Sequence, residues 1–214
     1  MATATATPAL PLVLDLDTLE RVVLRPPPGF SDDDFFDFCQ QKQHQLFRIE
    51  RNAEGDIIIM APVGYEGGFV EADVVGELRD WAKRDGRGVA LGPNTGIKLP
   101  DGSTFAPDAF WITNETRKAI PRQLRKKFAP MVPPFVIEVR SPSDRKKDLH
   151  DKMLTYLRNG VELAWFIDPL SRTVRIYRQP EEFLELNDPP QVEGEGPVEG
   201  FVLDLKQIYD QLDL

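Results

Sequence analysis

The spacing of apolar residues changes several times along this chain, and each change marks an element. In FSDDDFFDFCQQKQ, Phe35, Phe36, Phe38 and Cys39 share one side behind Ser31 and three aspartates. That predicts a short helix with Ser31 as N-cap and acids in its first turn. LFRIERNAEGDIIIMAP places two apolar runs around Asn-Ala-Glu-Gly, the pattern of a β-hairpin. Val70, Val74, Val75, Leu78 and Trp81 then recur at helical spacing, and the helix should end near Asp85-Gly86. GVALGPNTGIKLPDGSTFAPDAFWIT supplies two or three strands, with turns at Gly92-Pro93 and Asp101-Gly102 and Asp108 on the strand that leaves the second turn.

After a basic connection without a period, FVIEVR reads as a strand. The following segment runs through a loop into a helix that carries Leu149, Met153, Tyr156 and Leu157 inward and stops at Asn159-Gly160. VELAWFIDPLSRTVRIYR is a second hairpin, turning at Asp168-Pro169. The acidic, proline-rich stretch of about residues 180–199 reads as a mobile or extended loop, and FVLDLKQIYDQL as a last strand turn or short helix. Residues 1–27, which run into the stiff RPPPG joint, read as an N-terminal extension before a single ordered body over 28–214. The expected fold is α/β, with one mixed central β-sheet flanked by α-helices.

Composition narrows the chemistry. No apolar run approaches the roughly 18 to 20 residues that span a bilayer. The N-terminus lacks the basic start of a signal peptide, so the sequence predicts a cytoplasmic protein that does not engage a membrane. One cysteine excludes an intrachain disulfide, and the setting of Cys39 among phenylalanines predicts a packed thiol. With two histidines as well, any metal would be held by oxygen ligands, which favours magnesium, manganese or calcium. The net charge of -9 argues against a nucleic-acid partner until its distribution is considered. From Arg117 to Arg158 there are twelve basic residues against four acidic ones, a local +8 that leaves -17 for the rest. Such asymmetry steers an anionic ligand to one face.

The candidate chemistry centres on FVIEVR. Alternation places Val136, Glu138 and Arg140 on one face and Phe135, Ile137 and Val139 on the other. The second is the core face and the first should be partly wet. A carboxylate there is costly unless it is paired or binds a metal, and an ordinary Glu138–Arg140 ion pair is the plain alternative. Asp108 follows a proline at the start of a second strand. Asp148, Lys152 and Tyr156 share one helical stripe, which the Ser141-Pro142-Ser143-Asp144 turn would fold back toward the carboxylates. Together these residues offer what metal-assisted phosphodiester hydrolysis needs: Asp108 and Glu138 as ligands of a divalent ion, and Lys152 to orient water or stabilise charge on phosphorus.

FAPDAFWI, PPFVIEVRSPSDRKKDLHDKMLTYLRNGVELAWFIDP and TVRIYR resemble the Uma-two family, formerly a domain of unknown function, of restriction-endonuclease-like proteins within the PD-(D/E)XK nuclease superfamily. The resemblance runs from about Phe30 to the C-terminus. It implies a restriction-endonuclease-like fold and an endonuclease site using Mg2+ or Mn2+, with DNA as the expected substrate. On that pattern Asp108 is the PD acid and Glu138 the second acid. Arg140 stands in the lysine slot and is a poor proton acceptor, so the resemblance moves the lysine to Lys152. Glu71 or Asp73 would complete the site from the preceding helix, with Arg140 and Asp148 in support. Arg122, Arg125, Lys126, Lys127, Arg145, Lys146 and Lys147 are expected to serve nucleic-acid phosphates, and a homodimer would cut both strands. The alternatives are a catalytically inactive binding module of the same fold and a hydrolase of small phosphoesters.

Overall fold

The computed structural model describes residues 21–180 and 182–213; the first twenty residues of the expected extension lie outside them. The strands are β1 (Arg21–Leu24), β2 (Arg48–Arg51), β3 (Ile57–Met60), β4 (Gly88–Leu91), β5 (Ile97–Lys98), β6 (Thr104–Phe105) and β7 (Ala109–Thr113). They continue with β8 (Ala129–Pro130), β9 (Phe135–Val139), β10 (Leu163–Asp168), β11 (Thr173–Gln179), β12 (Glu182–Asn187), β13 (Gln191–Glu193) and β14 (Val202–Asp204). The helices are α1 (Asp32–Cys39), α2 (Tyr65–Asp85), α3 (Asn114–Ala119), α4 (Lys146–Arg158) and α5 (Leu205–Leu212).

The α/β class holds, but the single expected sheet is two. One runs β12-β11-β10-β9-β7-β4, with β9 and β10 parallel and the other neighbours antiparallel. The other runs β1-β3-β2-β6-β5-β8, and β13 pairs with β14 as a separate ribbon. The reason for the division lies in two prolines. β4 and β5 face β7 and β6 like one long hairpin, but Gly92-Pro93 with left-handed Asn94 (φ 64°) breaks the first arm and Ala106-Pro107 breaks the second. Proline lacks the N–H a ladder needs, so the hairpin bends and its halves join different sheets. Asp108 sits at that bend.

Local rules account for the helices. Ser31 caps α1 in a reciprocal capping box with Asp34. α2 ends where Gly86 takes φ 77°, a left-handed turn open to glycine. Its Val70, Val74, Leu78 and Trp81 pack with Phe135, Ile137, Val139 and α5 on one face of the β9 sheet. α4 covers the other face, its Leu149, Met153, Tyr156 and Leu157 meeting Val136, Ala164 and Phe166. The face of β9 expected to be partly wet is therefore buried, because α4 returns over it: Val136 is fully buried and Glu138 is 1% exposed.

The expected loop over 180–199 is also corrected. Residues 182–187 form β12 along β11, and 191–193 form β13 on β14, with Val192 and Val198 buried. Residues 21–24 of the expected extension form β1, paired with β3.

Candidate functional site

The site grows from strand register. Ala109 pairs with Ile137, so the next step along the antiparallel ladder brings Asp108 beside Glu138. Oδ2 of Asp108 accepts a 2.7 Å hydrogen bond from the Val139 N–H, which extends the ladder past its last main-chain pair. Both carboxylates are 1% exposed. They lie where the two sheets meet, beneath α4.

α4 supplies the next layer. Lys152 and Tyr156 are one turn apart on its inner stripe. Lys152 Nζ lies 2.8 Å from Glu138 Oε1 and donates to Glu50 Oε1 at 2.8 Å. The Tyr156 hydroxyl donates to Glu138 Oε1 at 2.7 Å. The same Glu50 Oε1 accepts from the Ala106 N–H at 2.9 Å, beside the proline bend.

β2 contributes a cation as well as Glu50. Nη2 of Arg48 lies 2.6 Å from Asp108 Oδ1 and 3.5 Å from Glu138 Oε2, and Nη1 lies 3.8 Å from Glu71 Oε1. Nη2 also donates to the Ala106 carbonyl at 2.9 Å. Yet Arg48 Nε and Asp108 Oδ1 have no partner in hydrogen-bonding direction. Four buried carboxylates, Glu50, Glu71, Asp108 and Glu138, thus face two cations, Arg48 and Lys152. Burial pushes the Glu138 carboxyl up to about 7, with Lys152 opposing and Asp108 adding to the rise. Burial and the Asp108 charge lift Glu71 to about 7, with Arg48 opposing.

This donor set suits a hard divalent cation in charge and chemistry. The excess is two negative charges when all four acids are ionised, and Asp108 Oδ1 is buried without a directed donor. Asp108 and Glu138 would be the ligands, with Glu71 the nearest third acid. Even so, among the described residues no three His, Cys, Asp or Glu side chains already converge into a metal-holding group.

A cleft of about 420 Å³ opens over these residues, lined by Arg48, Glu50, Glu138, Lys152, Arg145 and Asp148 among others. Of the two expected helix acids, Glu71 stands at the cluster, 3.8 Å from Arg48 Nη1, while Asp73 is half-buried and close enough to Glu77 to raise its carboxyl. Asp148 lines the cleft but pairs with Arg21 at 2.7 Å. Arg140 does not pair with Glu138: its Nη1 lies 3.3 Å from Asp168 Oδ1, and its Nε donates to the Asp144 carbonyl. Of the seven expected phosphate-binding residues, Arg145 lines this cleft. Lys146 pairs with Asp168 and Lys147 with Asp151. Arg122, Arg125 and Lys126 are exposed. Lys127 pairs with Asp33 and lines a second cavity, of about 530 Å³, under α1. Cys39 is a packed thiol as expected, pushed up to about 12 by burial.

Sequence reasoning missed Arg48 and Glu50. Their signal was the alternation in FRIER, where two charged residues share one face of a predicted strand.

Comparison with known proteins gives a consistent picture. A family model, Uma2, described as "Putative restriction endonuclease", matches residues 32–206. A solved structure described as a "putative nuclease belonging to DUF820 from Anabaena variabilis ATCC 29413" superposes with a TM-score of 0.63 at 22% identity, covering 77% of this chain and 90% of that one. It shares the fold. A chain of the DrdV-DNA complex aligns with a TM-score of 0.36 and 16% identity over 66% of this chain, which corresponds to 11% of its own length. No protein of curated function matches the sequence.

Proposed function

Because the chain belongs to the Uma2 family of restriction-endonuclease-like proteins, we propose that it is a divalent-metal-dependent endonuclease that hydrolyses phosphodiester bonds in DNA. The observation that supports this most is the adjacency of Asp108 and Glu138 on neighbouring strands, with the Lys152 ammonium against Glu138 at the floor of an open cleft.

In this reading Asp108 and Glu138 hold Mg2+ or Mn2+. When bound, the ion supplies Lewis acidity toward the phosphoryl oxygen and toward water. Tyr156 fixes the Glu138 carboxylate by donating to Oε1, and the Lys152 ammonium lies 2.8 Å from the same oxygen, which leaves Oε2 turned toward Asp108 and Arg48. An ammonium has three donors; Glu50 accepts one and Glu138 faces the group as its counter-charge, and a remaining donor serves the attacking water or the charge developing on phosphorus. Arg145 and Arg21 on the cleft lining receive flanking phosphates.

The deciding experiment is cleavage of pooled DNA and RNA substrates with Mg2+ or Mn2+, run beside an Asp108→Asn control. Metal-dependent cleavage of DNA that the substitution abolishes is the expected result; cleavage confined to RNA would replace the substrate class. One observation favours a second reading, a non-catalytic binding module. Arg48 and Lys152 already pair the carboxylates, as in a purely structural ion network. Calorimetry separates the two. If no Mg2+ or Mn2+ binding depends on Asp108 and Glu138, the nuclease reading fails.

A further inference from the structure

We infer that Arg48 is the built-in counter-ion of the carboxylate cluster, seated where a divalent ion would go and displaced when one binds. The inference rests on the metal-dependent reading above and adds the step by which the site is loaded.

Its geometry differs from that of the other cation. Lys152 holds two carboxylates at 2.8 Å each, and Arg175 of β11 forms one short pair with Glu185. Arg48 instead spreads over three acids from three separate elements: Glu71 of α2, Asp108 at the bend and Glu138 of β9. Two of the three distances, 3.5 and 3.8 Å, are too long for directed bonds. At the third, Asp108 Oδ1 lies 2.6 Å from Nη2 but outside hydrogen-bonding direction, and Nε has no acceptor at all. A guanidinium chosen for structure makes paired, planar contacts with a carboxylate. This one is held by charge around it and by one carbonyl, that of Ala106.

That is the role of a small hard cation played by a large flat one. It lies within 3.8 Å of Glu71, Asp108 and Glu138 alike. Together with Lys152 it leaves the four ionised acids two charges short, and a divalent ion in its place narrows that to one. Arg48 has somewhere to go, because its side chain is 17% exposed and lines the 420 Å³ cleft. Displaced, it remains in the cleft, where a phosphate oxygen would receive it.

The test uses the metal alone, without nucleic acid. MgCl2 and MnCl2 are titrated calorimetrically at constant ionic strength into the wild type, Arg48→Gln and Arg48→Lys. Removing the competing charge should tighten binding by about tenfold in Arg48→Gln, with the shorter cation of Arg48→Lys in between. Unchanged or weaker binding in Arg48→Gln would show that Arg48 positions the acids rather than competing for them. A second measurement needs no variant. In the wild type, the Arg48 Nε–H resonance, assigned through its own side-chain carbons, should shift toward the position of free arginine at saturating Mg2+. A resonance that stays in place at saturation overturns the inference. If wild type binds the ion while that signal and the variants' affinities are unmoved, the counter-ion role falls and the metal reading stands. If none of the three proteins binds Mg2+ or Mn2+, both fall.

Discussion

Two clefts lie on opposite faces of β2 and are built from the same residue types, yet their acids behave in opposite ways. Arg51 lines the 530 Å³ cavity under α1, while Arg48 and Glu50 line the carboxylate cleft. Under α1 three cations, Arg51, Lys98 and Lys127, meet two half-exposed or exposed acids, Asp32 and Asp33. For Asp32, burial alone would raise the carboxyl, but hydrogen bonds from Arg51 and Lys98 outweigh it and bring it below the usual range. At the other cleft four buried acids, of which Glu50 and Glu138 line it, share two cations, and Glu138 and Glu71 rise to about 7. Charge balance under burial separates a structural ion cluster from one that wants a further cation.

The largest effect should come from the unbalanced side. Asp108→Asn should cut DNA cleavage by at least about a thousandfold in a single-turnover assay, while Asp32→Asn, on the balanced side, leaves the rate unchanged; a rate loss at Asp32 would erase the distinction. Next, Lys152→Ala leaves Glu50 and Glu138 buried without their ammonium. It should lower stability by about 3 to 5 kcal/mol in urea denaturation, against about 1 kcal/mol or less for Asp32→Asn, whose own carboxyl is half-exposed.

Acidity gives a subtler contrast. Glu71 has a folded-state pKa above its ordinary 4.5, so between about 4.5 and about 7 the folded protein holds a proton that the unfolded chain has released. Metal-free wild type should therefore lose stability relative to Glu71→Gln as pH rises through that window. Over the same range Mg2+ affinity should climb, because Glu71 and Glu138 must ionise. Asp32 runs the other way: its pKa is depressed, so its contribution is present above the ordinary 3.8 and lost as pH falls below it. Parallel pH profiles for Glu71→Gln and Asp32→Asn would contradict the assignment. The smallest effect concerns phosphates. Arg145→Ala should reduce the slope of log affinity for DNA against log salt by about one, and Lys127→Ala, tied to Asp33 on the other cleft, should leave it unchanged.

Much of this was legible in the sequence because it was local. Helical spacing located α2 and α4, Ser31 announced the capping box, and turn residues marked the hairpins. Asp108, Glu138 and Lys152 were nominated as a group, and the structure brings them together. What escaped depended on distant partners. The acidic run over 182–193 reads as loop until β11 and β14 offer it edges to pair with. Two prolines fourteen positions apart gave no hint that they would divide one hairpin between two sheets. The basic window predicted one phosphate-binding face, but several of its cations are neutralised by acids from elsewhere in the chain, such as Asp33 and Asp168. Arg48 was hidden because its meaning depends on acids 23, 60 and 90 positions away in Glu71, Asp108 and Glu138.

The hydrogen bond from the Val139 N–H to Asp108 Oδ2 makes the acid a rung of the sheet as well as a member of the site. A carbonyl rung belongs to the backbone alone; a carboxylate rung also answers to whatever cation its side chain meets. The isotope-exchange lifetime of that one amide proton therefore reads the electrical state of the cleft from inside the backbone. It should change when a cation is drawn to the Asp108 carboxylate, before any substrate arrives.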